Sequence, residues 1–451
     1  MTGHSRGGTA LLTSRSLDAG NQDARSDAVT LLTCYVVLLM IVPSALAVGA
    51  FGAAGAPAGL FATVLLCWYL MARQHPDLSV NRGRQPIRTA AIFFACTIVM
   101  TYVSANRVAM PVLEVNGADR GLIVLSGWIG VLLLAADGID QEDRLKTLLR
   151  RIVLGASALS VMGLLESVTG LDLARYVSIP GLTVQTQATD LMSRDGLVRA
   201  MATTAEPLEL AAVLAMCLPL AIHQARYAPP ELRVRRWVQV ALIGGAMPMT
   251  GSRSAFFGIA VIAMVLLPTW PKRDRRRAYL TSLLTPLLTW LAVPSVLKVF
   301  SELFGQLGND QSSKSRSGAF SAALPYIAHH PWLGQGFHTF FPQIYFFVDD
   351  QYLTSLIETG AVGLAALVCL FVAGWVTARR TRFITTDPQG RDLAQSLAAS
   401  VAAAAVCFAS FDGLSFSIAA GLYFLLLGCV AAAWRIAQDR QQIECRCPPL
   451  G

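Results

Sequence analysis

Three arginines stand out because each lies in a stretch that is otherwise weakly charged. Arg199 lies in "GLVRAMATTAEPLEL", Arg253 in "MTGSRSAFFG" and Arg316 in "SSKSRSGAF". A guanidinium surrounded by hydroxyls and backbone amides suits a phosphate or a diphosphate, and Ser252 places a hydroxyl next to Arg253. For any one of these arginines, snorkelling to lipid headgroups or pairing with a nearby acid is the alternative.

Acidic residues form a second group of candidates. Asp349 and Asp350 are adjacent, Tyr352 follows, and Glu358 comes at helical spacing after them. An ionised carboxylate can accept the proton of a hydroxyl nucleophile. These acids are therefore candidate catalytic groups, with Tyr352 as a neighbouring substrate contact. The alternative is that an aspartate forms an ion pair with one of the arginines.

Three of the six histidines lie in the single stretch "SAALPYIAHHPWLGQGFHTF", as His329, His330 and His338. A metal site needs converging ligands at a fixed spacing, and this spacing matches no strong metal pattern. We therefore expect neither a metal nor a cofactor. His338 is a candidate base or substrate contact, and a position at the membrane interface is the alternative. The stretch itself predicts a short helix followed by a turn rich in proline and glycine.

The composition indicates what must position these residues. Of 451 residues, 54% are hydrophobic and only 14% are charged, whereas a soluble domain carries about 25% charged residues. Apolar runs of about 20 residues recur along the chain, as in helical membrane proteins. The net charge of +8 does not indicate nucleic-acid binding, because the basic residues cluster in short segments between the apolar runs.

The apolar runs predict about twelve transmembrane helices in an all-α, polytopic membrane protein. Residues 1–28 are predicted to be a disordered cytoplasmic arm, 29–434 the transmembrane domain and 435–451 a cytoplasmic tail. The predicted spans are 29–51, 54–72, 89–106, 120–136, 151–168, 206–223, 236–250, 254–271, 278–299, 353–378, 394–411 and 414–434.

The distribution of basic residues predicts the orientation of these spans. Every even-numbered connection is rich in arginine or lysine, as in "PKRDRRRA", and so is the tail. Basic segments stay in the cytoplasm, which places both termini on the cytoplasmic side of the cell membrane. The long connections 169–205 and 300–352 then face outward, and the second is a large extracytoplasmic loop. All three unusual arginines and the aspartate pair lie on that outer face, which favours an anion site over the alternatives.

Four short motifs occur in order on this predicted face, across about residues 195–375. They are "RAMATTAEPLEL", "TGSR" at 250–253, Arg316 followed by "HPWLGQGF", and "DDQYL" followed by "ETGAVG". Together they resemble the O-antigen ligase/polymerase family of bacterial polysaccharide assembly, whose first motif has a glycine where this chain has Ala202. Ligases of that family carry a histidine, proposed as the catalytic base, where this chain has Asp349.

The resemblance implies a GT-C-like membrane glycosyltransferase that works without a metal. The donor would be a polyprenyl-diphosphate-linked oligosaccharide, bound through Arg199, Arg253 and Arg316. The acceptor would be a glycan or another hydroxyl, and Asp349 would take the place of the family histidine. The product would be a surface polysaccharide of the O-antigen or exopolysaccharide type. Other polysaccharide-assembly proteins and the lipid bilayer are expected partners, and nucleic acid is not.

Two other functions remain open from the sequence. A transporter or flippase of lipid-linked sugars also commonly has twelve spans with both ends inside, although no repeat of the two halves is visible here. A scaffold for an assembly complex is the third interpretation. Within the enzyme hypothesis, the aspartate at position 349 shifts the expectation from a ligase toward a polymerase.

Overall fold

The computed structural model of the chain describes residues 28–49, 55–74, 85–107, 110–184, 193–194, 197–280 and 311–446, without the side chains of 193–194, 197, 311–317 and 444–446. The first helices are α1 (Ala28–Ile41), α2 (Pro57–Gln74), α3 (Pro86–Ala105), α4 (Val112–Gly138) and α5 (Glu142–Thr169). Next come α6 (Pro207–Arg226), α7 (Pro230–Met249), α8 (Arg253–Leu266) and α9 (Gln311–His329). The last are α10 (Gln351–Glu358), α11 (Gly360–Ile384), α12 (Pro388–Phe408) and α13 (Ser417–Arg446).

Short strands and 3₁₀ turns complete the secondary structure of the described residues. Strand β1 (Leu46–Ala47) pairs antiparallel with β2 (Thr183–Val184), with Leu46 opposite Val184. Strand β3 (Ser193–Arg194) pairs with β4 (Leu197–Val198). The 3₁₀ turns are Ala174–Tyr176 and Leu267–Thr269, and residues 272–280 are also helical.

Six helices in the described part of the chain are long and apolar enough to cross a membrane. They are α3, α4, α5, α6, α11 and, over Ser417–Ile443, α13. Helix α1 and the segment Arg253–Thr269 are shorter apolar helices. A helix needs about 20 apolar residues to cross the hydrocarbon core. The protein is thus all-helical and multi-pass, while twelve spans and a GT-C-like architecture remain predictions.

Prolines mark where several helices begin. Pro86, Pro207, Pro230 and Pro388 each stand in the first turn of a helix. Proline suits this position because the first amides of a helix have no intrahelical acceptor and because its fixed φ is already helical. These residues make the helix starts readable from the sequence.

Helices α6 and α13 form the centre of the bundle. In their most apolar windows 83% and 89% of residues are buried, compared with 39% in α3. Aromatic rings fill the space around α13, where Trp128 stacks on Phe424 with ring centroids 4.9 Å apart. Phe94 of α3 contacts the same ring. The less buried helices leave apolar side chains exposed, as lipid-facing helices do.

Eleven of the twelve predicted spans coincide with helices in the described residues, and most of the ninth, 278–299, lies outside them. Some boundaries were wrong. The first helix ends at Ile41 rather than 51, because Pro43 follows and residues 46–47 pair with β2 instead. The predicted tail begins inside α13, which continues to Arg446. The orientation stays a prediction.

Candidate functional site

The Arg199 segment rests directly on the turn that carries Arg253. Arg199 Nε donates to the carbonyl of Thr250 at 2.8 Å, and the Ala200 amide donates to Met249 O at 2.9 Å. Gly251 has φ +58, and a Cβ added there would lie 3.3 Å from the Arg199 side chain. Two of the three predicted anion-binding arginines are therefore carried by segments in contact.

Helix α8 begins at this turn. Ser252 is its N-cap residue, and its hydroxyl accepts from the Ser254 amide at 3.2 Å and lies 2.5 Å from the Ser254 hydroxyl. Arg253, half-buried, is the first helical residue. A helix N-terminus favours negative charge through its free amides and its dipole. The turn thus joins two arginines, two hydroxyls and a helix start.

Two buried glutamates fix the loop that follows Arg199. Glu166 of α5 accepts from the amides of Met201 at 3.0 Å and Ala202 at 2.7 Å. Ala202 has φ +53, the left-handed conformation that glycine adopts most easily. The glycine of the family motif suits this backbone, and the two bonds to Glu166 hold alanine in it here.

Glu209 ties the same loop to the last helix. Its carboxylate accepts from the amide of Ala205 at 2.8 Å and from the first amides of α13, Ile418 at 2.9 Å and Ala419 at 3.1 Å. Glu209 is fully buried. The sequence interpretation did not single out Glu209, although an acid in the first turns of an apolar helix was a usable signal.

The stretch "HPWLGQG" wraps around a break between α10 and α11. The amides of Gln335 and Gly336 donate to Ile357 O and Glu358 O, while those of Ala361 and Val362 donate to Pro331 O and Trp332 O. Gly360 has φ +65 at the break. The span predicted at 353–378 corresponds to α11, which begins later, at Gly360. Glu358 ends a separate short helix, because the left-handed Gly360 interrupts the helical hydrogen bonds.

Glu358 is buried beneath this loop, 6% exposed. Its Oε1 accepts from the Phe340 amide at 3.2 Å. Burial raises the pKa of Glu358 to about 8; the amides of His338 and Phe340 oppose the rise and the charge of Asp412 adds to it. The positive charge of Arg120 in α4 also acts on Glu358. The sequence interpretation did not single out Arg120, although it is a charge at the edge of an apolar run.

His338 lies in the same loop against α4. Its backbone is left-handed, with φ +59, and its carbonyl lies 2.3 Å from the position of a Cβ on Gly117. Its Nε2 is buried without a hydrogen-bond partner among the described residues. Burial, and then the charge of Arg120, lower the pKa of His338 to about 3. The imidazole is therefore neutral and a weak base.

The two adjacent aspartates differ in their surroundings. Asp350 is the N-cap residue of α10, and its carboxylate accepts from the amides of Tyr352 at 2.8 Å and Leu353 at 3.4 Å. Asp349 is exposed. The hydroxyl of Tyr352 donates to Ala405 O at 2.7 Å, which anchors α10 to α12.

Two further carboxylates lie close to Asp349 and were missed in the sequence. Glu206 precedes α6, and its pKa is raised by burial and then by Asp349, while Arg199 lowers it. Asp412 lies between α12 and α13, and burial raises its pKa to about 7, with smaller contributions from Glu206 and Asp349. Asp412 occurs in a connection predicted to face outward and Glu206 at the outward end of a predicted span, which was the available signal. Asp349 thus belongs to a group of acids adjacent to Arg199.

Arg316 is the third predicted arginine. It is part of α9, and the structure does not describe its side chain. Helix α9 leads into the loop that wraps the break before α11, since its last residue is His329. The structure therefore brings together Arg199, Arg253, Ser252 and the acids, and leaves Arg316 as a prediction.

These features define a class: a multi-pass helical membrane protein in which several helix ends gather arginines and carboxylates at one end of the bundle. Residues 238–368 match the model of the O-antigen ligase family. This segment includes Arg253, His338, Asp349 and Glu358, and the match confirms the resemblance indicated by the motifs. A comparison with curated proteins finds no match.

Proposed function

We propose that this protein is a glycosyltransferase of the cell membrane that transfers a glycan from a polyprenyl diphosphate to a hydroxyl acceptor. It would polymerise or ligate surface polysaccharide on the outer face. The observation that carries the proposal is the contact between Arg199 and the Thr250 turn, which joins two cationic segments beside a group of carboxylates. The family match over residues 238–368 supports it.

The arginines bind and stabilise the diphosphate. Arg199 is oriented by its bond to Thr250 O, and Arg253 stands at the start of α8 next to Ser252. Negative charge grows on the diphosphate oxygen as the bond to the sugar breaks. Donors already in place lower the energy of that transition state, because they need no reorganisation during the reaction. Arg316 is expected to add a third positive charge.

Asp349 is the best candidate for the general base. It is exposed, whereas Asp350 caps α10 and is engaged with two amides. The pKa of about 8 keeps Glu358 largely protonated near neutral pH, and a pKa of about 3 makes His338 a weak base. In the proposed step the acceptor oxygen bonds to the anomeric carbon, polyprenyl diphosphate leaves, and the hydroxyl proton passes to Asp349.

The test is glycosyl transfer by the purified full chain in liposomes that contain a polyprenyl-diphosphate-linked oligosaccharide. Longer or ligated glycan is expected from the wild type, with a loss of at least about 100-fold in Arg253→Ala because a transition-state contact is removed. Arg233→Ala, an exposed charge on α7, is the matched control and should keep full activity. Full transfer by Arg253→Ala would contradict the diphosphate role. Movement of the donor across the bilayer without transfer would favour a transporter.

A further inference from the structure

A cavity with several basic lining residues lies at the end of the bundle opposite the candidate site. Its volume is about 130 Å³. It is enclosed by the start of α5, the end of α6, the start of α7 and the start of α12. Its lining includes Lys146, Arg150, His223, Gln224 and Arg236. Helix α6 runs from the candidate site, where Glu206 precedes it, to this cavity.

The lining carries three cationic side chains and, within the described residues, no carboxylate. Arg236 donates to two neutral amide oxygens, Gln224 Oε1 at 3.2 Å and Gln239 Oε1 at 3.0 Å. Arg150 forms no ion pair in the described part of the chain, and its charge repels Arg236. Lys146 pairs with Glu142 at 2.7 Å, which lies outside the lining. The cavity therefore has an excess of positive charge.

His223 lines the cavity, and its imidazole is held in place by a hydrogen bond. Its Nδ1 lies 2.8 Å from Asp392 Oδ2, and the same carboxylate also pairs with Arg226. Asp392 is thus occupied by two neighbours and does not neutralise Arg150 or Arg236. The ring of Tyr227 lies 5.3 Å from the imidazole. The anchored imidazole and the guanidinium of Arg236 are in place before any ligand arrives.

Apolar surface continues from the cavity along the bundle. Leu232 lines the cavity and is 41% exposed, and Trp237 and Val238 follow on α7 at 46% and 50%. Leu154 on the neighbouring α5 is 52% exposed. Tryptophan beside a basic cluster is typical of the boundary between headgroups and acyl chains. A ligand with a phosphate and hydrocarbon chains matches both parts of this surface.

We propose that this cavity binds the phosphate of an anionic glycerophospholipid through Arg150, Arg236 and Lys146, with the acyl chains along α5 and α7. Basic pockets between transmembrane helices recognise such headgroups because they combine Coulomb attraction with hydrogen-bond donors. Three cationic side chains in the lining suit a phosphate group rather than a neutral sugar. The site is independent of the glycosyltransferase activity proposed for the other end of the bundle.

The test is native mass spectrometry of the purified full chain in neutral detergent, titrated with dioleoyl phosphatidylglycerol, dioleoyl phosphatidylcholine or inorganic phosphate. We expect the wild type to bind phosphatidylglycerol at least about tenfold more tightly than phosphatidylcholine. Arg150→Gln/Arg236→Gln should lose this preference, since each basic residue near a charged headgroup contributes about fivefold. Arg150→Lys/Arg236→Lys keeps the charge and should retain a preference, which separates charge from folding.

The matched control is Arg233→Gln/Arg276→Gln, which removes two exposed charges from the same end of the protein. It should bind phosphatidylglycerol as the wild type does. An equal loss in this control, or an unchanged preference in the Arg150 and Arg236 double variant, would overturn the proposal. Binding of inorganic phosphate as tight as that of phosphatidylglycerol would overturn the lipid as the ligand and assign the cavity to free phosphate.

Discussion

Replacing Gly360 by alanine tests whether the break between α10 and α11 depends on a residue without a side chain. A Cβ at this position would lie 2.3 Å from the carbonyl carbon of Trp332, 2.4 Å from its oxygen and 2.6 Å from the amide nitrogen of Leu333. All three are backbone atoms, so no rotamer change can relieve the overlap. The backbone at Gly360 is also left-handed, with φ +65.

The expected loss of stability has two parts. The left-handed conformation costs an alanine about 1–2 kcal/mol. Forcing a methyl group into a packed contact costs a further 1–3 kcal/mol, about the range measured for overpacked cores. Gly360→Ala should therefore lower the free energy of unfolding by about 2–5 kcal/mol. It should also weaken the hydrogen bonds that the amides of Gln335 and Gly336 donate to carbonyls at the end of α10.

Gly170→Ala is the matched control. Gly170 has φ +71, but a Cβ there meets nothing within 4 Å, so this variant carries only the conformational part. Both variants would be unfolded in mixed micelles by titration with sodium dodecyl sulfate, with helicity as the readout. Equal losses of stability in the two variants would refute the reasoning, because the contact with Trp332 would then contribute nothing.

Four other variants test the carboxylates. Because the pKa of Glu358 is raised to about 8 from 4.5, the folded protein holds this proton more tightly, and stability falls as pH rises through that interval. In Glu358→Gln the melting temperature should therefore depend less on pH between these values. A melting temperature that falls with pH as steeply as in the wild type would contradict this. Asp349→Ala should lose at least about 100-fold in glycosyl transfer and keep its melting temperature, whereas Asp350→Ala should lose about 1 kcal/mol of stability as a missing N-cap and retain more activity; the reverse order would remove Asp349 as the base. Glu209→Ala leaves three amides without an acceptor and should lower the free energy of unfolding by about 3 kcal/mol or more. A melting temperature equal to that of the wild type would show that these hydrogen bonds are not needed.

The fold was predictable where a single physical cause acts locally. Apolar length identified helices at most of the predicted spans, and prolines such as Pro207 and Pro388 stand where helices begin. The break at Gly360 was not predictable, because it depends on hydrogen bonds from the Pro331–Gly336 segment. The extension of α13 to Arg446 was missed because the sequence after 434 turns polar while staying helical.

The candidate site was predictable in part for a similar reason. Arg199 and Arg253 were visible as isolated charges, but the hydrogen bond from Arg199 to Thr250 O, which joins their two segments, is encoded by no sequence pattern. Glu206 and Asp412 were missed because the first is a single acid at the start of a predicted span and the second a single acid in a short connection. Their relation to Asp349 exists only once α6, α10 and α13 are packed. Arg120 was overlooked because it lies at the edge of a predicted span.

The hydrogen bonds of the Glu209 carboxylate also determine the order in which parts of the fold can form during biosynthesis. It lies in α6, yet two of its three partners are the amides of Ile418 and Ala419. A nascent chain that has reached residue 416 holds this acid in the bilayer with only the Ala205 amide to satisfy it. The loop after Arg199 is therefore fixed only when α13 enters the membrane, so the end of the bundle that carries Arg199 is completed as one of the last steps of assembly.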